Sequence, residues 1–417
     1  MKPISISKEN LLHAFDKQNN TYCVITGKNG DGKSRLLSSF ARAGFKSDRW
    51  QSVIAVATTP FDSFPKKIPD SKFKSIYKYI GVQGYSTNSS AKQLIETATM
   101  SLFTDRNEGS LIRLDSVLDF LNFDPFFELI FKISPNLVFD DINKTYYLND
   151  PKNEIYFNDE KLTFTGKKSY SLLKELYYFF RSLTDKNGLV KITYNLYNNT
   201  FSHKDILLPD SIISTIYKVN QSEAFTIMDL RLKKKTENEA FSLRRASSGE
   251  QCVLLSMIGI ASTITDDALV LIDEPEISLH PYWQEQYIGL LNKLFGSFNG
   301  CAFFIATHSP LIVSKLNNKN SYIYDIKSEL LTPAFYFNNK SSDYQLAKVF
   351  ELPGDKNEYL TRILISFLIR KTTLADIEPH KINEVKSVLK LKNKISINDP
   401  VFRLIELVEL AIGVDHE

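Results

Sequence analysis

The chain has 417 residues, 43% hydrophobic and 24% charged, the balance of a globular protein with a sizeable core. Lys and Arg total 51 against 48 Asp and Glu, so a net charge of +3 carries no overall bias toward nucleic acid and leaves only a local basic face open. No run approaches the roughly 18 apolar residues of a membrane span, and Met1-Lys-Pro-Ile-Ser-Ile-Ser-Lys8 holds no apolar leader, so a cytoplasmic protein without membrane contact is expected.

The three cysteines, Cys23, Cys252 and Cys301, sit in apolar runs, odd in number and scattered, which predicts buried thiols rather than disulfides or metal ligands. The six histidines are too dispersed for a zinc motif.

In chain order, Thr21-Tyr-Cys-Val-Ile-Thr26 predicts a short buried strand. It runs into Gly27-Lys-Asn29-Gly30-Asp-Gly32-Lys33-Ser34 and then into Arg35-Leu-Leu-Ser-Ser-Phe, an amphipathic helix start. Strand, glycine-rich loop and helix form the context in which the G-x-x-x-x-G-K-[ST] pattern holds a nucleotide. The glycines let backbone N–H groups turn inward on phosphate oxygens, aided by the helix N-terminus. Asn29, Gly30, Gly32, Lys33, Ser34 and Arg35 are the candidate phosphate-binding set, with Lys33 on the β- and γ-phosphates and Ser34 on Mg²⁺.

Ser52–Thr59 predicts a second strand, and Ser75–Gln83 a third that opens into a polar loop. There Gln83 either touches the metal and the attacking water or is an ordinary solvated amide. Residues 93–105 are expected to be helical. From about 110 to 235 the texture changes, with helical spacing at Leu114–Leu121 and Leu172–Leu183 and short strands over 144–166. Aromatics interleave with lysines here, as a nucleic-acid surface would have them or as plain core and rim. Phe225–Leu232 and Ala240–Arg245 flank a charged tip and predict a hairpin.

The hairpin delivers Ala246-Ser247-Ser248-Gly249-Glu250-Gln251 onto a long apolar helix. Ser247 and Glu250 have the spacing of a capping box, and the same serine- and glycine-bearing N-terminus could clamp a γ-phosphate. Leu269–Ile272 then predicts a strand buried on both faces, as in a parallel sheet. It stops at Asp273-Glu274, followed by Pro275-Glu276-Ile-Ser-Leu-His280-Pro281. Two carboxylates at the carboxyl edge of such a sheet are costly unless a cation or a reacting water uses them; the alternative is a surface turn. Asp273 suits Mg²⁺, and Glu274 suits activation of a water. Cys301–His308 repeats the design, ending a buried strand in Thr307-His308-Ser309-Pro310. His308 either donates to a phosphate or holds the catalytic carboxylate there, or is a satisfied core histidine. Two closing strands are expected over 321–337, and helices from Ser342 to Gly413.

Taken together, Gly27–Ser34, Ala246–Gln251, Asp273–Pro281 and Thr307–His308 resemble the ordered motif set of an ATP-binding-cassette (ABC) ATPase. The wording Ser-Ser-Gly-Glu-Gln, Asp-Glu-Pro-Glu-Ile-Ser-Leu-His-Pro and Ala-Thr-His-Ser-Pro is similar to the SMC/RecF/OLD branch, and most similar to the stand-alone AAA-type ATPases of bacterial defence systems such as Septu and PARIS. The resemblance implies an α/β P-loop fold with a mixed α/β insertion between the first motif and the signature and a helical C-terminal tail. The corresponding division is 1–110 and 236–340 for the two halves of the ATPase domain, 111–235 for the insertion and 341–417 for the tail.

It further implies ATP and Mg²⁺ as cofactors and a head-to-tail dimer or higher oligomer that encloses the nucleotides. Ser247, Ser248 and Gly249 would face the phosphate held by the other copy's Lys33, and Ser278–Pro281 would cross the seam. Ser34, Asp273 and Gln83 would serve the metal, Glu274 would be the catalytic base, and His308 would be the switch histidine. SMC relatives carry a long coiled coil and OLD nucleases a TOPRIM domain; neither pattern occurs here. A nuclease or toxin would therefore come from another polypeptide encoded nearby, with DNA or a phage component as trigger. The alternative is a RecF- or SMC-like repair ATPase acting directly on DNA. A transporter cassette fits less well, because Glu250 stands where its signature has a second glycine.

Overall fold

The fold is described from a computed structural model over residues 3–15, 18–59, 62–65, 76–81, 108–133, 137–142, 145–150, 153–156, 167–204, 206–209, 225–277, 279–316, 320–373 and 378–413. The strands are β1 Ile4–Ser5, β2 Thr21–Thr26, β3 Ser52–Ala57, β4 Tyr77–Gly81, β5 Phe123–Ile133, β6 Leu137–Asp140, β7 Thr145–Asp150, β8 Asn153–Tyr156, β9 Leu189–Asn195, β10 Thr200–His203, β11 Ile206–Leu207, β12 Phe225–Lys234, β13 Phe241–Ser242, β14 Ala268–Asp273, β15 Ala302–Ala306, β16 Ser321–Asp325 and β17 Leu330–Pro333. The expected helix over 93–105 lies outside the described residues, as do Gln83 and Ser278.

An eight-stranded sheet, in the order β1-β17-β16-β2-β15-β14-β3-β4, forms the centre. From β16 to β4 neighbouring strands run parallel, and β17 turns back antiparallel at one edge. Every residue of β2, β3, β14 and β15 is buried, which is why these strands read as unbroken apolar runs rather than alternating ones.

Successive side chains still divide between the two faces. Tyr22, Val24, Ile54, Val56, Val270, Ile272, Phe303 and Ile305 join one core, and Cys23, Ile25, Val53, Ala55, Leu269, Leu271 and Phe304 the other. The second core is covered by the helix Lys33–Gly44. The first is covered by the helices Ser248–Thr263 and Pro281–Phe295. Ser248–Thr263 is buried from Cys252 onward on all sides, since the helix Glu108–Phe120 packs on its outer flank.

A second sheet is antiparallel, in the order β11-β10-β9-β5-β12-β13, and β6, β7 and β8 form a small third one. The hairpin expected over 225–245 is present, with Leu232 opposite Phe241, but β12 pairs mainly with β5 over a much longer ladder. Several of the aromatics that raised the prospect of a nucleic-acid surface go inward. Phe127, Phe131, Tyr177, Phe180, Tyr194 and Phe201 are all buried in the same core as the parallel sheet's first face. Tyr178 and Tyr197 are exposed. The helical tail has a core of its own, built from Tyr359, Leu360, Leu364, Val388, Ile405 and their neighbours. Among the described residues no helix is long and apolar enough to cross a membrane.

Phe303 is fully buried and stacks on Tyr22 with ring centroids 4.7 Å apart. Phe303→Ala should cost about 3–5 kcal/mol of stability by leaving a cavity in the middle of the sheet. Phe335→Ala, at a side chain 61% exposed, should stay within about 0.5 kcal/mol of the parent. Urea unfolding of both variants measures the contrast.

Candidate functional site

Strand register brings the motifs together. Asp273 is level with Ala306 of β15 and Ala57 of β3, and Ala306 is level with Ile25 of β2. The chain segments leaving β2, β14 and β15 therefore emerge side by side at the carboxyl edge, where open α/β sheets hold ligands.

The loop after β2 turns through Gly30 and Gly32, with φ of 87° and 94°. A Cβ at either position would meet nothing within 4 Å, so the left-handed backbone, not crowding, calls for glycine there. The Asp31 carboxylate closes the loop by accepting the Lys28 N–H at 2.6 Å. Gly32 caps the helix Lys33–Gly44, whose first turn has no acidic residue to compete with an anion.

Lys33 is buried and folded back into this loop. Its Nζ donates to the carbonyls of Gly27 and Lys28, each at 3.2 Å, and to Nε2 of His308. An ammonium has only donors, so Nε2 accepts and the imidazole is neutral, with its proton on Nδ1. Burial and the neighbouring Lys33 charge both lower the His308 pKa, in agreement with a neutral ring. Burial also lowers the Lys33 pKa, opposed by Glu274 and Asp273. The Glu274 carboxylate lies 3.6 Å from His308 Nε2, close but beyond a hydrogen bond.

Ser34 Oγ donates to Asp273 Oδ1 at 3.0 Å. Burial pushes the Asp273 carboxyl up to about 7, while the Ser34 hydrogen bond pulls the other way and Glu274 adds to the rise. Burial outweighs both the Ser34 hydrogen bond and the nearby Lys33 charge, so this carboxylate would gain from a further cation. A serine hydroxyl and one carboxylate are hard oxygen donors of the kind Mg²⁺ takes, with water and phosphate completing its shell. The pair thus fits the metal by chemistry and by charge.

Glu274 sits with φ of 47°, in the left-handed region that costs a non-glycine residue free energy. Its N–H donates to Ala306 O at 2.9 Å, and its carbonyl accepts from Thr58 Oγ1 at 3.3 Å. Those bonds hold the strained residue and leave its half-buried side chain facing His308.

Sequence reasoning assigns no role to Glu276, yet its Oε1 accepts the backbone N–H of His308. Burial raises the Glu276 carboxyl, and that N–H opposes the rise. The third carboxylate of Asp-Glu-Pro-Glu is the only signal of it in the sequence. Asn29, Gly30 and Arg35 lie on the same loop and helix start, without side-chain bonds to the Lys33 cluster among the described residues.

Ser247 and Ser248 are exposed and Gly249 is buried at the start of another helix. The capping box forms: Ser247 Oγ accepts the Glu250 N–H at 3.2 Å, and the Ser247 N–H donates to Glu250 Oε2 at 3.0 Å. This helix leads through four residues into β14, so it runs antiparallel to the strands and its N-terminus rises to the same sheet edge. Its first turn is tied beneath the site, with the Cys252 thiol beside Thr58. Within one chain, however, no bond among the described residues joins Ser247–Gly249 to Lys33, Ser34 or Asp273.

A buried lysine in a glycine loop, one strand away from paired carboxylates, is the arrangement of P-loop nucleoside triphosphatases, and the chain carries an ATPase domain of that class. It belongs to the family described as "AAA domain, putative AbiEii toxin, Type IV TA system", whose sequence profile matches residues 23–314. Similar proteins include the Retron Vc95 probable ATPase of Vibrio cholerae serotype O1 biovar El Tor, 24% identical over 252 residues that make up 55% of this chain and 44% of that protein. The Retron Ec83 probable ATPase of Escherichia coli is 30% identical over 97 residues, 21% of this chain and 17% of that protein. Protein ea59 of Escherichia phage lambda is 38% identical over 74 residues, 18% of this chain and 14% of that protein. The matched stretches thus span less than half of each of these relatives. Among solved structures, an SmcHead bound to the C-winged helix domain of ScpA is 9% identical and aligns over 76% of this chain and 90% of that one, with a TM-score of 0.25.

The Asp273 shift has a sign that can be measured. A carboxyl that titrates near 3.8 when unfolded and near 7 when folded favours folding in its neutral form. Stability of the nucleotide-free chain is therefore lost as pH rises through that window. Asp273→Asn, which cannot ionise, should melt higher than the parent at about pH 8, with the gain shrinking toward about pH 5. Thermal melts across that range, without nucleotide, give the answer; a variant that melts lower throughout would contradict the buried charge.

Proposed function

We propose that this chain binds and hydrolyses ATP with Mg²⁺, closes head-to-tail on a second copy around the nucleotides, and uses that closure to hold or release a separately encoded nuclease or toxin in antiviral defence. The observation that carries the ATP site is the single cluster linking Lys33, His308, Glu274, Ser34 and Asp273 at one sheet edge. The defence reading is supported by the family description, which names a toxin of a type IV toxin-antitoxin system, and by two relatives named as retron ATPases.

The chain's own residues have definite work in this reading. Lys33 exchanges the Gly27 and Lys28 carbonyls for phosphate oxygens, for which its buried ammonium is a better match. Ser34 and Asp273 are the residues that would hold Mg²⁺, which when bound would neutralise phosphate charge and relieve the cost of the buried carboxylate. Once Lys33 turns to phosphate, His308 Nε2 is free to carry a proton and donate to the same group. Glu274, aimed beside it, polarises the attacking water. Ser248, exposed at the same edge, and Gly249 beside it have no bond among the described residues to this chain's own glycine loop, and they suit the nucleotide of a facing copy.

The insertion supplies a means of control. Its core is continuous with the helix Ser248–Thr263, so a change in the antiparallel sheet would be felt at the signature end of that helix. With Phe127, Phe131, Tyr177, Phe180, Tyr194 and Phe201 buried, these aromatics of the insertion are not available as the stacking platform that direct DNA handling would use.

Glu274→Gln keeps size and hydrogen bonding and removes the base. Single-turnover hydrolysis should fall about 10²–10⁴-fold while ATP affinity by titration persists. Hydrolysis near the parent rate would remove Glu274 from its role.

Ser248→Arg should leave ATP binding by the monomer intact and block ATP-dependent dimerisation, because a bulky cation would enter the facing phosphate pocket. Sedimentation with the Glu274→Gln background trapping ATP reads the dimer; an unchanged dimer with unchanged turnover would refute the sandwich.

A further inference from the structure

We propose that Glu276 is a positioning residue that ties the loop bearing His308 to the turn bearing Glu274, so that both side chains are aimed at one point. The inference deepens the ATPase reading and rests on it for its catalytic consequence.

The argument begins where the sheet ends. The ladder of β15 stops at Ala306, whose carbonyl accepts the Glu274 N–H at 2.9 Å. Thr307 still reaches β2, its N–H donating to Ile25 O at 3.3 Å. His308 is the first residue beyond the ladder, and its N–H has no strand to bond. Glu276 Oε1 takes that N–H. Beyond it, Ser309 caps the short helix Pro310–Ser314 and its hydroxyl bonds Gln284 Oε1 at 2.6 Å. The backbone on either side of His308 is thus held by the sheet and by a helix cap, the ring meets Lys33 Nζ, and the backbone N–H of the residue itself is held by one carboxylate.

That carboxylate is fixed at its own end. Glu276 belongs to the tight turn that follows Asp273, in which Ile277 N–H donates to Glu274 O at 3.2 Å and Leu279 N–H to Glu276 O at 2.9 Å. The same turn imposes the left-handed backbone of Glu274. The Glu276 side chain therefore bridges two turns that leave neighbouring strands, one carrying the base and the other the imidazole. A charge-assisted bond to a backbone N–H is stronger than a neutral one and fixes direction, which suits a group whose task is aim.

The test separates the bond from the charge and from mere folding. In Glu276→Gln the amide oxygen can still accept the His308 N–H, while Glu276→Ala removes the acceptor and Glu276→Asp is one methylene too short to reach. Hydrogen exchange of the segment 302–314 is read without nucleotide. His308 and Ser309 amides should exchange about tenfold faster in the Ala and Asp variants and as in the parent in the Gln variant. In steady-state ATP hydrolysis, the Ala and Asp variants should lose about tenfold in kcat with KM changed by less than about twofold, and Gln should restore kcat. Unchanged exchange in the Ala and Asp variants, or a Gln variant as impaired as Ala, would overturn the proposal, the latter by assigning the effect to charge near Lys33. Should the parent itself fail to hydrolyse ATP, the ATPase reading falls separately, and the exchange measurement still decides whether Glu276 holds the loop.

Discussion

The alignment of strand ends at the carboxyl edge is the constraint on which everything else depends. Asp273, Ala306 and Ile25 lie level across β14, β15 and β2. A one-residue slip in any of these pairings would turn every side chain of that strand to the opposite core. Since both cores are apolar, the register is enforced by burial of whole strands rather than by the polar residues that follow them. The phosphate loop, the paired carboxylates and the histidine inherit their proximity from that packing.

On this scaffold the site is held in a tense arrangement. The cluster satisfies itself internally: Lys33 on two carbonyls and an imidazole, Ser34 on Asp273. The carboxylate of Asp273 stays costly even so, because a single hydroxyl does not replace the water it has lost. The left-handed Glu274 adds backbone strain. Glu274 is one of several positions with left-handed backbone, and it also lies beside the buried Asp273 carboxylate, so charge and strain meet at this sheet edge.

The long segment between the first motif and the signature is built into this structure rather than appended to it. Its buried aromatics, the helix Glu108–Phe120 and the signature helix share one core with a face of the parallel sheet. The C-terminal helices, by contrast, have a separate cluster around Leu360, Leu364 and Ile405. The insertion thus shares a hydrophobic core with the helix that carries Ser248.

Much of this was legible in the chain itself. Apolar runs ending in polar residues marked β2, β14 and β15, because strands buried on both faces must be continuous in hydrophobicity and must stop where polarity begins. Glycines at 30 and 32 marked the left-handed turns of the loop that leaves β2, because left-handed backbone favours glycine, and the Ser247–Glu250 spacing announced its own cap. Those are local rules, and local rules can be read from neighbours in sequence. Tertiary structure decided what local rules leave open. The aromatics of the insertion could equally have formed a surface or a core, and only the long pairing of β5 with β12 and β9 sent them inward. Glu276 could equally have been a solvated turn residue. Its bond to His308, thirty-two positions away in the chain, exists because β14 and β15 end level with each other, and nothing within either stretch alone specifies that meeting.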